Sequence, residues 1–184
     1  MRTLTEPAAN CGMRPFLAGN SLATLTFALL LVTSQPAASQ EDCTTSGLSN
    51  PDRQLIVCGT ALSLEREVGT DIKIFERQGS APPEVIMLEN GAIYIEVLPG
   101  SQPTQIRTPH AIAAVRGTIY VVDAGATSTS VFVVKGAVAV TKPNNASTVT
   151  LGPGEGVDVD STTSLKVNRW EAGRVSKLLA RFGR

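Results

Sequence analysis

The chain holds a single histidine, His110, and three cysteines, and this inventory narrows its chemistry before any fold is considered. Acyl or phosphoryl transfer through a nucleophile needs a serine or cysteine beside a base, most often histidine. His110 follows Pro109 in a loop-like stretch, where an imidazole can titrate near neutrality but is usually a plain polar surface group. No glycine-rich phosphate loop with its lysine is present. Two-carboxylate glycoside chemistry keeps its raw materials, yet nothing places a chosen pair at the required separation. Glu155, Asp158 and Asp160 lie close together and a cation would suit them, but their spacing matches no calcium loop. A zinc centre wants four ligands, and one histidine is a poor start. The residues predict no catalytic, metal or cofactor site, and the expectation is a non-enzymatic binding protein.

The ends of the first forty residues carry a different kind of signal. Arg2 and Arg14 precede an apolar stretch at residues 22–32, and Ala37, Ala38 and Ser39 follow it. A positive region, an apolar core and a small-residue site make a secretory signal peptide, assigned here to residues 1–39, with Met1 or Met13 as the start. The core is about eleven residues, against the roughly twenty that span a bilayer, so cleavage is expected rather than a membrane anchor. No cysteine follows a lipid-attachment pattern. The mature chain is expected to be periplasmic or secreted, with no stable membrane span.

Cys11 would leave with the leader. Cys43 and Cys58 would remain as an even pair flanking a polar, turn-rich stretch at 44–52, and exported chains keep disulfides. A bridge would tie down residues 40–64 and add about 3 kcal/mol, mostly by restricting the unfolded chain. Two unpaired buried thiols are the alternative. Lys and Arg number 16 and Asp and Glu number 16, so no net field favours nucleic acid.

Hydrophobic residues make up 42% and aromatic residues only 4%, with Val, Ile, Thr, Gly and Pro abundant. That balance favours many short strands joined by tight turns. Five segments open on glycine and run into β-branched residues with a period near two: 69–75, 91–97, 117–123, 136–142 and 154–160. A period of two buries one face and wets the other. Turn signals separate them, at Ala81-Pro82-Pro83, Pro99-Gly100, Lys142-Pro143-Asn144-Asn145 and Gly152-Pro153-Gly154. The expected fold is all-β, a small solenoid-like or rolled sheet over residues 65–160; a β-sandwich would show the same pattern. Residues 161–184 then form a linker and a short amphipathic helix. Trp170, Val175, Leu178, Leu179 and Phe182 share one helical stripe. This stripe is expected to pack on the β-domain, with Trp170 plugging one end and the basic residues solvated. The alternative is weak contact with a membrane surface or an acidic partner through Arg174, Lys177 and Arg181.

Several ordered motifs together resemble the FecR domain, a module of the bacterial envelope. They are Arg107-Thr108-Pro109, then Val115-Arg116-Gly117-Thr118, then the run 131–140 around Gly136, and a closing turn at 151–155 that includes Gly154 and Glu155. The resemblance covers roughly residues 65–159. It implies extended β-structure and an envelope role. The family's best-known members carry a sigma-regulating region and a transmembrane helix before this domain, and the resemblance here is to the periplasmic part alone. Arg116 is expected to bond local carbonyls or a carboxylate, with ligand contact as the alternative, and Thr118 to cap a corner. The expected partner is an unknown envelope protein gripped along exposed strand edges. A cell-wall glycan-binding module and a periplasmic relay in a FecR-type signalling system are the alternatives.

Overall fold

The computed structural model describes residues 43–75, 82–144 and 147–184. The expected leader, Cys11, both candidate start residues and the turn at Ala81 lie outside them. Alternation of β-branched residues yields thirteen strands among the described residues. They are β1 (Thr44–Leu48), β2 (Arg53–Cys58), β3 (Leu62–Glu67), β4 (Asp71–Phe75), β5 (Val85–Val97), β6 (Thr104–Arg107), β7 (Ile112–Val115), β8 (Ile119–Ala124), β9 (Ser128–Lys135), β10 (Val138–Thr141), β11 (Thr148–Leu151), β12 (Glu155–Asp160) and β13 (Asn168–Arg169). The helical stripe gives α1 (Ala172–Ala180).

The strands form one sheet curled into a half-barrel. Its pivot is β5. Residues 85–90 of β5 pair with β4 on one side, and residues 85–87 pair with β6 on the other. From Gly91 onward the same strand pairs with β3 and β8. Two walls result. The first runs β1-β2-β3-β5-β8-β9-β12-β13, and the second runs β4-β5-β6-β7-β10-β11. Among the described pairings only β5–β6 is parallel. A solenoid would stack parallel strands, so the rolled sheet is the form the chain adopts.

Alternation sorts side chains between the two faces of each wall. In β8, Tyr120, Val122 and Ala124 enter the interior, while Val121 packs on the opposite side. Leu64, Ile86, Ile95, Ile106, Val133 and Val140 are fully buried in the same interior. Each such side chain contributes about 1.5–3 kcal/mol through removal from water. The Tyr120 hydroxyl is also buried, without a hydrogen-bond partner among the described residues. Burial pushes its pKa far above the ordinary value.

Three local outcomes differ from the sequence expectation. Residues 44–48, part of a stretch rich in turn formers, form β1, because β2 offers a free edge and the Cys43–Cys58 disulfide holds the two together. Gly91 does not open its strand; β5 begins six residues earlier at Val85 and changes partners at this glycine. Trp170 plugs no end of the roll. It precedes α1 and lies on the outer face of the first wall, stacked on Phe132 at a ring separation of 5.1 Å. Gly156 makes this packing feasible, since a Cβ there would sit 2.4 Å from the Trp170 ring. Among the described residues no helix is long and apolar enough to cross a membrane.

Candidate functional site

The motif residues singled out from the sequence hold corners. Thr108 Oγ1 accepts hydrogen bonds from the Ala111 amide at 2.8 Å and the His110 amide at 3.3 Å, and lies 2.9 Å from buried Thr129 Oγ1. A turn at residues 108–111, with Pro109 at its exposed tip, therefore docks on the start of β9. The opposite end of the strands gathers Gly117, Thr118 and Gly136. Thr118 Oγ1 donates to the Ala137 carbonyl at 2.9 Å, and the Thr118 carbonyl accepts from Val97 N at 2.9 Å. Gly117 has φ +66° and packs so tightly that a Cβ would lie 2.8 Å from Pro99 Cα. A side chain there meets both a backbone penalty and a clash. Val115 is buried beside this corner.

Gly154 and Glu155 belong to the turn before β12. Glu155 Oε2 accepts from Gly152 N at 2.7 Å, and Gly154 N donates to the Val133 carbonyl at 2.8 Å. The acidic trio is split among separate tasks: Glu155 closes this turn, Asp158 pairs with Arg174, and Asp160 caps the amides of Thr162 and Thr163. No cluster of three His, Cys, Asp or Glu among the described residues is placed to hold a metal ion. Arg116 is exposed and bonds neither local carbonyl nor carboxylate among the described residues.

Two surfaces remain with the means to bind something. The first is the β4 edge of the second wall, whose other edge is β11. Among the described residues β4 pairs only with β5. Its inward side chains, Ile72 and Ile74, touch the interior yet stay partly exposed, because among the described residues no strand continues the wall beyond them. Its last residue, Phe75, is 50% exposed. Phe75, Val85 and Met87 line an open cleft of about 290 Å³ with Glu84 and Arg107 at its rim. The Arg107 guanidinium bonds the amide oxygen of Gln105, at 3.2 and 3.0 Å, and meets no carboxylate among the described residues.

The second surface is the outer face of the first wall, which α1 covers. Tyr94, Val121 and Phe132 form its apolar floor, and Trp170, Leu178 and Phe182 pack onto it, with Val175 and Leu179 alongside. Around the floor stand four carboxylates: Glu65 and Glu67 on β3, Asp123 on β8 and Asp158 on β12. Each meets an arginine. Arg174 donates to both Asp158 oxygens at 2.5 and 2.9 Å and lies 3.4 Å from the Trp170 ring centroid. Arg181 forks across Glu67 at 2.7 and 2.6 Å and reaches both oxygens of Asp123. Arg184 grips Glu65 at 2.7 and 3.2 Å above the Tyr94 ring, and Arg53 donates to Glu65 at 2.6 Å. The expected solvated basic face is therefore largely engaged, and Lys177 is the exposed exception.

Burial pushes the Glu65 carboxyl up, but the hydrogen bonds and charge of Arg184 and Arg53 outweigh it and hold the pKa below its ordinary value. Hydrogen bonding from Arg174 lowers Asp158 likewise, and bonding to Glu67 raises Arg181. These pairs were hidden in the sequence. The available clue is that all four acids occupy outward positions of alternating strands, where a polar residue is expected and its partner is not visible.

The described residues form an all-β roll with glycine corners. Residues 59–139 carry a FecR domain, matching the family model described as FecR protein. No curated protein is similar enough to count as a match. Two crystal structures of a presumed anti-sigma factor from Parabacteroides distasonis are similar to this chain. One has 19% identity and a TM-score of 0.55, and the other 18% and 0.49; each match covers 76% of this chain. This chain spans 61% of the length of each of those proteins. At such identity the likeness extends to the fold alone.

Proposed function

We propose that the chain is an exported, non-catalytic module of the bacterial cell envelope that binds a partner protein along the free edge of β4. The observation that carries this reading is the unfinished edge itself. A wall that ends with Ile72 and Ile74 half-buried gains apolar burial when one more strand is added, and main-chain bonding supplies the rest of the affinity. Alternate side chains of that strand would meet Phe75 and the apolar cleft, with Arg107 available to a carboxylate. The FecR domain supports an envelope setting, and the bridged Cys43–Cys58 pair suits an oxidising compartment.

Cell-wall glycan binding is less well supported. Sugar platforms use exposed Trp or Tyr, and the only Trp and both Tyr, Trp170, Tyr94 and Tyr120, are buried. Contact with an anionic surface through Arg174, Lys177 and Arg181 is weakened by the engagement of two of the three with carboxylates. The test is a crosslinked pulldown of the exported, oxidised protein from its own envelope, using Phe75→Asp and Lys177→Ala. One dominant partner that is lost with Phe75→Asp and kept with Lys177→Ala supports the β4 edge. Equal capture by both variants places the contact elsewhere.

A further inference from the structure

The covered face of the first wall is built as a receptor, and its occupant is attached by a tether. The occupant presents three arginines, and the face presents a matching row: Asp158 for Arg174, Asp123 with Glu67 for Arg181, and Glu65 for Arg184. Between the charges, the Trp170 ring stacks on Phe132 and Phe182 lies 5.8 Å from Tyr94. Bidentate arginine pairs add geometric selectivity to apolar docking. The helix is only nine residues long, below the length that holds a helix alone in water. Its fold therefore depends on the face it covers. Residues 161–167, which join β12 to β13 ahead of the docking segment, have no regular structure and span about 24 Å when extended, and β13 holds β12 through two residue pairs alone, Glu155 with Arg169 and Gly156 with Asn168.

We infer that this face is transferable: when a chain's own α1 is withdrawn, the face accepts the α1 segment of a second copy of the same chain. Chemistry points to this occupant, because the surface is complementary to a sequence that every copy carries. While both are intact, the short tether gives the chain's own segment an effective concentration of order millimolar, so the self-docked monomer prevails at ordinary concentrations. Exchange of one identical element between copies is a low-cost route to a dimer once the self-docked state is weakened.

Complementation of two full-length, exported and oxidised variants tests the inference. In Arg174→Glu/Arg181→Glu the helix is repelled by its own face. In Glu67→Arg/Asp123→Arg/Asp158→Arg the face repels its own helix. Across the two chains both interfaces are complementary again. Native mass spectrometry is expected to show each variant alone as a monomer and the mixture as a heterodimer of mixed mass. Two unmixed monomers, each with native-like circular dichroism, would overturn the inference.

If either variant fails to fold, chains with one cysteine added beside the Cys43–Cys58 bridge replace them. Ser130 and Lys177 border the same cleft beside α1. Ser130→Cys mixed with Lys177→Cys at millimolar concentration is then expected to form more mixed disulfide dimer than Lys73→Cys mixed with Lys177→Cys. Equal yields reject exchange.

Discussion

The two walls of the roll share β5 and one aliphatic interior, but they finish their outer surfaces in opposite ways. The first wall is buried on both faces at its centre, β5, β8 and β9, where its outer side is closed by α1, four aromatic rings and an ion-pair perimeter. The second leaves its outer side open. Register sets Phe75, Val85, Gln105, Ala114 and Ala139 in one row, and Lys73, Met87, Arg107, Ile112 and Thr141 in the next. Both walls obey the same period of two. The difference teaches that alternation decides which side chains share a face but not what lies over that face. In the first wall the outward positions carry aromatic rings and acids, and in the second they carry small, β-branched and mixed polar groups.

Substitutions can break or sharpen this contrast. The largest loss is expected in the interior both walls share: Ile95→Ala should lower the unfolding free energy by about 2–5 kcal/mol in urea denaturation. Phe182→Ala, on the covered face, should lose about 3 kcal/mol, within the same range. A clearly smaller loss would mean that the helix is a loose cover. Gly156→Ala should cost about 1–3 kcal/mol, because the new methyl displaces the Trp170 ring; near-ultraviolet circular dichroism and Trp fluorescence report the displacement.

Arg181→Met should cost about 2 kcal/mol by leaving Glu67 and Asp123 without their shared cation. Acid weakens the same perimeter. Glu65 and Asp158 have folded pKa values below their ordinary ones, so each adds stability that is present above the unfolded value and lost as pH falls through the folded value. Thermal melts should therefore hold level near neutrality and decline below about pH 4. Glu65→Gln should flatten that decline and lower the neutral plateau. The smallest effect belongs to the open wall: Phe75→Ala should change stability by less than about 0.5 kcal/mol while removing partner capture. A large destabilisation there would show that the edge is structural.

Much of this fold was legible because its signals are local. Alternation marked the strand runs around Tyr120, Val133 and Val140, glycine marked the corners at Gly117 and Gly136, and the stripe from Trp170 to Phe182 marked the docking segment. The expectation of export led to pairing Cys43 with Cys58, and the two are bridged. Long-range arrangement was not legible. Glu65 and Arg184 are separated by 119 positions, and only the curl of the sheet brings them within 2.7 Å. The open edge of β4 was equally hidden, since D-I-K-I-F reads as an ordinary alternating strand and its missing neighbour is a property of topology. Arg116 was the most conspicuous candidate and has no polar side-chain partner among the described residues, so the corner there rests on Gly117 and Thr118.

The thirteen residues of β5 bind to four different strands, and this gives the roll a mechanical property. The two walls hang from one beam and have no seam between them. Tearing either wall from β5 frays the rail that holds the other, so the roll should come apart as one cooperative unit rather than wall by wall. A strand added at β4 would brace that beam. Amide hydrogens of β3 and β8, far from the point of contact, should then exchange more slowly, carrying news of occupancy across the molecule without any change of shape.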